Sequence, residues 1–162
     1  MMRRFLLFAF VVALAACSTI DCPVQNKVAV NYAVKSYVDG EEVTDTLKDT
    51  LYVWTRRGDG TDTLILNRGI NIQSFSLPVS YAHPEDTLVF CVVDTNKVAT
   101  VDTVWIKKND IPHFESVDCS AHFFHTLTAI RSSHRAIDTI FINNPSVTYD
   151  PSVNHIYVHF KK

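Results

Sequence analysis

Seven histidines make metal binding the first chemistry to consider, because neutral imidazole is a common ligand of transition metals. In NHIYVHF, His155 and His159 are four residues apart, so on a strand they would be separated by roughly 13 Å and could not share one ion. In HFFH, His122 and His125 have opposite parity and would point to opposite faces of a strand. Only a histidine brought in by the tertiary fold, such as His113, could complete a site. We therefore predict no metal and no other cofactor.

The motifs of nucleophilic and acid–base catalysis are absent. The sequence contains no G-x-S-x-G, S-x-x-K or H-E-x-x-H, which hold a nucleophile or a metal-bound water beside its base. Most carboxylates precede apolar runs, where turn and cap roles explain them. A glycosidase would need two carboxylates that converge in a cleft, an arrangement that a sequence does not display. We predict a protein that is not an enzyme and has no catalytic residues.

The four cysteines divide by their surroundings. Cys17 ends the N-terminal apolar segment, and Cys91 lies in the most apolar run, where a free thiol behaves as a small hydrophobe. Cys22 and Cys119 lie beside polar, turn-like residues, and we predict a disulfide between them. In the chain-entropy description, closing a loop of that length would stabilise the fold by roughly 4 kcal/mol. A metal or redox site is the alternative, but no C-x-x-C is present.

Large aromatic residues form the strongest candidate for a binding surface. Alternation within DTLYVWT puts Tyr52 and Trp54 opposite Leu51 and Val53. Trp105 and Phe141 occupy equivalent positions in DTVWI and DTIFI. If the aliphatic side is the core, these rings lie on the outer surface, where a sizeable apolar patch marks a partner or ligand site. The alternative is that some strands are inverted or that loops cover this face.

The elements that would position these residues are short strands. An Asp-Thr pair followed by three apolar residues occurs at Asp49, Asp62, Asp86, Asp102 and Asp138. Their unequal spacing excludes a repeat architecture. Aspartate suits the turn before a strand and threonine suits the strand itself, so we interpret the pair as marking where strands begin.

Other runs with a period of two complete an all-β pattern. They are KVAVNYAVKSYV, IQSFSLPV, HFFHTLTAI and HIYVHF, with DTLVFCVV apolar on both faces and therefore expected at the centre of a sheet. About nine strands with turns between them predict a single antiparallel β-sandwich of immunoglobulin-like architecture. A closed β-barrel is the alternative.

The N-terminus has the layout of an export signal. Arg3 and Arg4 precede twelve apolar residues, and Ala15-Ala16 stand before Cys17. That segment is shorter than the roughly 20 residues of a membrane-spanning helix. The run LAAC resembles a bacterial lipobox, which implies cleavage before Cys17 and attachment of lipid to it. We predict a signal peptide over residues 1–16, a lipidated cysteine with a short tether over 17–25, and one domain over 26–162.

The charge of the chain excludes some partners. Removal of Arg3 and Arg4 leaves 13 basic and 17 acidic residues, a net charge of −4. No basic cluster or stripe exists, which argues against nucleic acid and against electrostatic attraction to lipid.

Several features together resemble a family of small Bacteroides-type envelope lipoproteins that is known only as a domain of unknown function. They are the lipobox cysteine, the nearby DCP, the run FSLPVSYAHPEDTLVF, a later VDC and a closing strand. The resemblance implies an envelope lipoprotein and supports the pairing of Cys22 with Cys119. It carries over no catalytic residues.

These features lead to functional predictions of three classes. We expect a membrane-anchored lipoprotein of the outer membrane, on its periplasmic rather than its surface face, acting as a non-catalytic protein-interaction or structural module. A glycan- or lipid-binding module in nutrient capture is the second hypothesis, and an enzyme is the third. The identity of the partner, the biological process and the oligomeric state cannot be read from the sequence.

Overall fold

The computed structural model describes residues 27–56, 59–116, 119 and 121–161, and within these residues the chain forms strands and turns without a helix. The eleven strands are β1 (Ala29–Val38), β2 (Glu41–Thr44), β3 (Thr50–Thr55), β4 (Thr63–Gly69), β5 (Ser74–Pro78), β6 (Glu85–Val93), β7 (Ala99–His113), β8 (His122–Ser132), β9 (Ile137–Ile142), β10 (Ser146–Val147) and β11 (Ile156–Phe160). The predicted signal peptide and tether, residues 1–16 and 17–25, lie outside the described residues.

The strands form two sheets. One has five strands, with β2, β1, β11 and β9 in order and β5 also paired to β1; the other has six, in the order β10-β8-β7-β6-β3-β4. Apolar residues from both sheets form one hydrophobic core. This arrangement confirms the predicted all-β sandwich, with eleven described strands where about nine were expected. Because the described strands form two separate sheets, they do not form the closed barrel.

Alternation along the strands builds the core. On β1, Val30, Tyr32 and Val34 are buried, and the side chains at the equivalent parity of β3, β7 and β11 are buried as well. Phe75 stacks on the Tyr32 ring with centroids 4.7 Å apart, and Phe90 of the opposite sheet approaches the same ring at 6.1 Å. Burial of a large apolar side chain contributes about 1.5–3 kcal/mol, so these rings help to hold the two sheets together.

The five-stranded sheet is organised around β1. One edge of β1 pairs in parallel with β11, from Tyr32 opposite Ile156 to Val34 opposite Val158. The other edge is shared, because the Val34 N–H donates to the Gln73 carbonyl before β5 while its C=O accepts from the Asp45 N–H after β2. The predicted antiparallel arrangement therefore holds for the paired strands of the described residues except β1 and β11.

The six-stranded sheet is antiparallel, and β6 lies between β7 and β3 as predicted for the run that is apolar on both faces. The β6–β7 pairing ends with Glu85 opposite Lys107, whereas β7 and β8 continue to pair as far as His113 opposite His122. This extension, residues 108–113 with 122–127, is called the β7–β8 arm below.

The Asp-Thr pairs mark strand starts only in part. Thr50 and Thr63 are the first residues of β3 and β4, and the pairs at Asp86 and Asp138 lie at the second and third positions of β6 and β9. The interpretation is wrong for Asp102, which is buried inside β7. An aspartate is tolerated there because backbone N–H groups of the following turn surround it, as described below.

Two register shifts alter the predicted alternation of β4. Leu64 lies opposite Trp54 and is exposed, whereas Leu66 lies opposite Val53 and packs on the core. Strict alternation would put these two leucines on one face of the strand. A bulge between them inserts one extra residue, which turns the following side chains to the other side.

Candidate functional site

The predicted aromatic face is present on the six-stranded sheet for three of its four residues. Tyr52 and Trp54 alternate on β3 with the buried Leu51 and Val53, so both rings point away from the core. Their ring centroids are 5.9 Å apart at an interplanar angle of 21°. The pair forms a continuous aromatic surface that is half-buried.

Trp105 lies on the same side of the sheet, two strands away. Its register neighbours are Thr87 on β6 and Arg131 on β8. The Arg131 guanidinium lies over the indole ring at 3.9 Å from the centroid, and it also contacts the Glu85 carboxylate at 3.4 Å. Because this cation–π contact covers one face of the ring, Trp105 offers less free surface than its position alone indicates.

Aliphatic side chains fill the space around the aromatic pair. Trp54 lies between Leu64 on β4 and Val89 on β6 in the ladder, and Tyr52 lies opposite Cys91, whose other neighbour is Val101. Leu64 and Val101 are 41% and 42% exposed. We call the set Tyr52, Trp54, Leu64, Val89, Val101 and Trp105 the aromatic sheet face. Its members are uncharged, so it is suited to contact with another apolar surface.

Phe141 does not belong to this face. It lies on β9 of the five-stranded sheet, opposite Tyr157 on β11, with ring centroids 5.6 Å apart. Alternation assigns a residue to one side of its own strand and does not reveal which sheet the strand joins. Phe141 points away from the core, as its parity predicted, but parity could not show that its strand lies in a different sheet from β3 and β7.

A second aromatic group surrounds His159 on the outer side of the five-stranded sheet. The imidazole lies between the rings of Tyr37 and Phe141, at centroid distances of 4.9 and 6.0 Å. Its Nε2 atom is 3.0 Å from Glu42 Oε1. Tyr157 shares this face through its contact with Phe141. Tyr37 and Glu42 were missed because the β1–β2 hairpin brings them here from far away in the chain.

A buried ionic cluster lies where the arm leaves the sheet. Lys108 Nζ is completely buried, donates to the carbonyl of His83, and lies 3.6 Å from Asp86 Oδ1 and 3.8 Å from Asp110 Oδ1. The Asp110 carboxylate in turn is 2.6 Å from His125 Nδ1. These contacts neutralise the ammonium inside the protein.

The cluster is built for stability rather than for chemistry. Burial raises the pKa of Asp86, against the lowering effect of the Lys108 charge. Burial and the Asp86 charge also raise the pKa of Tyr32, whose hydroxyl has no hydrogen-bond partner among the described residues. A substrate cannot reach the buried ammonium. The hydrogen bonds that Lys108 donates to the carbonyls of His83 and Pro84 fix loop 79–84 against the arm.

Asp102 organises the turn between β8 and β9. One carboxylate oxygen accepts from the Ser133 hydroxyl and the Arg135 N–H, and the other accepts from the N–H groups of Ala136 and Ile137. Burial alone would raise the pKa of Asp102, but these hydrogen bonds outweigh it and lower the pKa. The carboxylate is therefore ionised, saturated and structural.

The histidines do not converge on a metal. His113 lies directly opposite His122, as a tertiary partner would, but His113 stacks on Phe124 at 4.3 Å and both imidazoles meet the edge or face of the Tyr149 ring. In the part of the chain that the structure describes, no group of three or more His, Cys, Asp and Glu side chains is arranged to hold an ion.

Of the four cysteines, the structure describes Cys91 and Cys119. Cys17 and Cys22 lie outside the described residues, so lipidation and the disulfide stay predictions. Cys119 is half-buried and is not a free thiol. Cys91 is free and lies on β6 beneath the aromatic sheet face, and burial raises the pKa of its thiol.

A cleft of about 320 Å³ opens between β1, the segment after β2 and the end of β11. Its charged side chains are three lysines and two aspartates, and no histidine or cysteine lines it. Lys35 donates to the Thr44 hydroxyl and Lys161 to the His134 carbonyl, so two of the cations are already engaged within the protein.

No helix among residues 27–56, 59–116, 119 and 121–161 is long and apolar enough to cross a bilayer.

Comparison with known proteins gives a match to a family model. Neither the curated proteins nor the solved structures contain a match to the chain. A family model described as a family of unknown function, DUF6452, matches residues 50–160, more than half of the chain. The predicted membership of an uncharacterised family is thereby confirmed: the protein belongs to the DUF6452 family.

Proposed function

We propose that the protein is a lipid-anchored cell-envelope protein that binds a protein partner through its aromatic sheet face and has no catalytic activity. The observation that carries this proposal is the stacked pair of Tyr52 and Trp54, which lies outside the core and is continuous with the exposed Leu64 and Val101. A contiguous apolar patch on a soluble domain marks an interaction site.

The anchor is proposed from the N-terminal sequence. The lipobox at Cys17 would attach acyl chains, and two or more chains give stable anchoring where one is marginal. Ser18 follows the cysteine where an aspartate would favour retention at the inner membrane, so the outer membrane is favoured. The tether STIDC lacks the acidic run associated with export to the surface, which favours the periplasmic side.

A protein partner fits the aromatic sheet face better than a glycan. Aliphatic Leu64, Val89 and Val101 surround the rings, whereas sugar recognition needs donors and acceptors beside an aromatic platform. Arg131, the cation over the Trp105 ring, is occupied by that ring and by the Glu85 carboxylate. Buried aromatic anchors are the residues that dominate binding energy at protein interfaces.

Site-specific photocrosslinking in intact cells would test the proposal. A photoreactive phenylalanine analogue at Tyr52 is expected to give one discrete crosslinked protein, which identifies the partner. Trp54→Ala should weaken binding of that purified partner at least tenfold, as loss of a hot-spot residue does. Ser74, an exposed residue on the other sheet, supplies the matched control position for the photoreactive group.

Equal crosslinking at both positions, or unchanged affinity after Trp54→Ala in a correctly folded protein, would contradict the assignment of this face. A mature N-terminus that carries no lipid, as measured by mass spectrometry, would contradict the proposed anchor. These two results are independent, since the first concerns the sheet and the second concerns Cys17.

Glycan binding is the second candidate, and the His159 group favours it. Tyr37 is 61% exposed and continues into the rings of His159 and Phe141, with Lys35 over the Tyr157 ring at 4.7 Å. This platform combines rings with charged groups, as sugar binding requires. Affinity electrophoresis in soluble polysaccharides should show retardation that Tyr37→Ala abolishes; no retardation by any polysaccharide would reject this candidate.

A further inference from the structure

The start of the domain lies at the same end of the sandwich as the β7–β8 arm. Ala29, the first residue of β1, pairs with Pro78, the last residue of β5. The chain then runs through loop 79–84, whose last carbonyl accepts the backbone N–H of Lys108 at the base of the arm. Lys27 and Val28, which lead into β1, therefore lie at the arm end of the sandwich.

The hairpin between β1 and β2 lies at the opposite end. β1 runs away from the arm, from Ala29 beside Pro78 to Val38 opposite Glu41. Asp39 and Gly40, both with positive φ, form the turn there. β1 thus runs from the arm end of the domain to the hairpin end, and the described chain begins at the arm end.

The arm end exposes large apolar side chains. Tyr81 is 68% exposed and stacks on Phe123 at a centroid distance of 4.8 Å. Phe114, which follows the last residue of β7, is 65% exposed, and Ile111 is half exposed on the arm itself. Stacking on Phe123 fixes the position of the Tyr81 ring, and pairing with Phe124 fixes the position of Ile111 on the arm.

We propose that the arm end rests on the surface of the bilayer, with Tyr81, Ile111 and Phe114 in the interfacial region of the lipid. This inference depends on the proposed lipid anchor at Cys17. Nine residues lie between Cys17 and Lys27, so the two are ten residue steps apart, and ten steps reach at most about 33–36 Å. The anchor thus keeps the arm end, where the chain enters the domain, close to the membrane.

The chemistry of these residues matches a lipid interface. Tyrosine and other aromatic side chains concentrate at the boundary between headgroups and acyl chains, where the apolar body and the polar tip are both satisfied. The exposed charges nearby are of both signs, Glu115 and Lys107. The contact is therefore hydrophobic, and the anionic lipid content of the membrane has little effect on it.

Fluorescence quenching by brominated lipid tests this orientation. The lipidated full-length product is reconstituted into phosphatidylcholine vesicles with bromine near the headgroup end of the acyl chains. Phe114→Trp adds a fluorophore at the arm end, and Tyr37→Trp adds one at the opposite end at matched exposure, 65% against 61%. Wild type supplies the background from Trp54 and Trp105.

The fluorescence added by Phe114→Trp should be quenched at least twofold more than that added by Tyr37→Trp, with and without anionic lipid. Equal quenching in protein that floats with the vesicles would overturn the orientation and leave the anchor intact. Failure of wild type to float with vesicles, together with an unmodified Cys17 by mass spectrometry, would overturn the anchor itself. Circular dichroism of both variants verifies that they are folded.

Discussion

Asp102→Asn tests directly whether the buried carboxylate of Asp102 stabilises the fold. The two oxygens of Asp102 receive four donors: the Ser133 hydroxyl at 2.6 Å and the N–H groups of Arg135, Ala136 and Ile137 at 2.9, 2.6 and 2.7 Å. Asparagine has almost the same shape, but one of its oxygens is replaced by an amide that donates. At least one backbone N–H must then face another donor.

The cost follows from the better of the two amide orientations. If the amide nitrogen replaces the oxygen near Ser133, that hydroxyl can turn to accept, and only the Arg135 N–H loses its acceptor. A buried donor without a partner costs about 1–3 kcal/mol. The remaining hydrogen bonds also lose their charge assistance, which is worth about 1 kcal/mol each. We expect Asp102→Asn to lower the free energy of unfolding by about 3–5 kcal/mol.

Urea unfolding followed by tryptophan fluorescence measures this loss, with Asp138→Asn as the matched control. Asp138 is an exposed aspartate on the neighbouring β9, and a surface substitution of this kind changes stability by less than about 0.5 kcal/mol. A loss below about 1 kcal/mol for Asp102→Asn would contradict the structural role of this carboxylate, because it would mean that the four hydrogen bonds contribute no more than a surface contact.

The same carboxylate predicts an acid dependence. Its pKa is lowered in the folded protein, so its contribution is present above the unfolded value of about 3.9 and is lost as pH falls towards the folded pKa. The difference in stability between wild type and Asp102→Asn should therefore narrow below about pH 4. A difference that stayed constant across that range would contradict the lowered pKa.

Three further outcomes are expected. Burial lowers the pKa of His155, whose Nδ1 accepts the Asn31 N–H at 2.9 Å. The free energy of unfolding should therefore fall as pH drops below about 6.5. Unfolding titrations should show a weaker pH dependence for His155→Gln than for wild type, and an equal dependence would contradict the lowered pKa. Lys108→Met should cost about 3 kcal/mol in urea unfolding because it leaves two carboxylates beside a buried apolar chain, and a neutral result would show that the ion pairs are dispensable. Cys22→Ser and Cys119→Ser should each release one thiol to alkylation under denaturing, non-reducing conditions; release by only one of them would contradict the predicted disulfide.

The sequence predicted most of the inward-facing residues because alternation is a property of a single strand. Leu51, Val53, Val104 and Ile106 are buried as the period of two required. Alternation failed at β4, where a bulge that no residue pattern announces turned Leu66 inward. Local patterns thus specify faces until an extra residue interrupts the ladder.

The sequence predicted the residues of the candidate site less well than it predicted the core. Assigning Phe141 to the same surface as Trp105 required knowledge of strand order, which depends on contacts between distant segments. Asp102 was taken for a turn residue because aspartate is disfavoured inside strands. Its four donors come from residues more than 30 positions away, and no window of sequence around Asp102 contains them.

The parallel pairing of β1 with β11 has a consequence for how the chain acquires its structure. Asn31 and His155, which are bonded to each other beside this pair, are 124 residues apart. β11 also fills the position between β1 and β9, so the five-stranded sheet is interrupted until residues 156–160 arrive. Contacts of such high sequence separation form slowly, because loop-closure entropy must be overcome before they stabilise the fold. A fragment that lacked β11 would leave that edge of β1 unpaired and open to pairing with other chains. We therefore expect folding to be most efficient when the chain is kept unfolded and protected from aggregation until β11 can pair with β1 and β9.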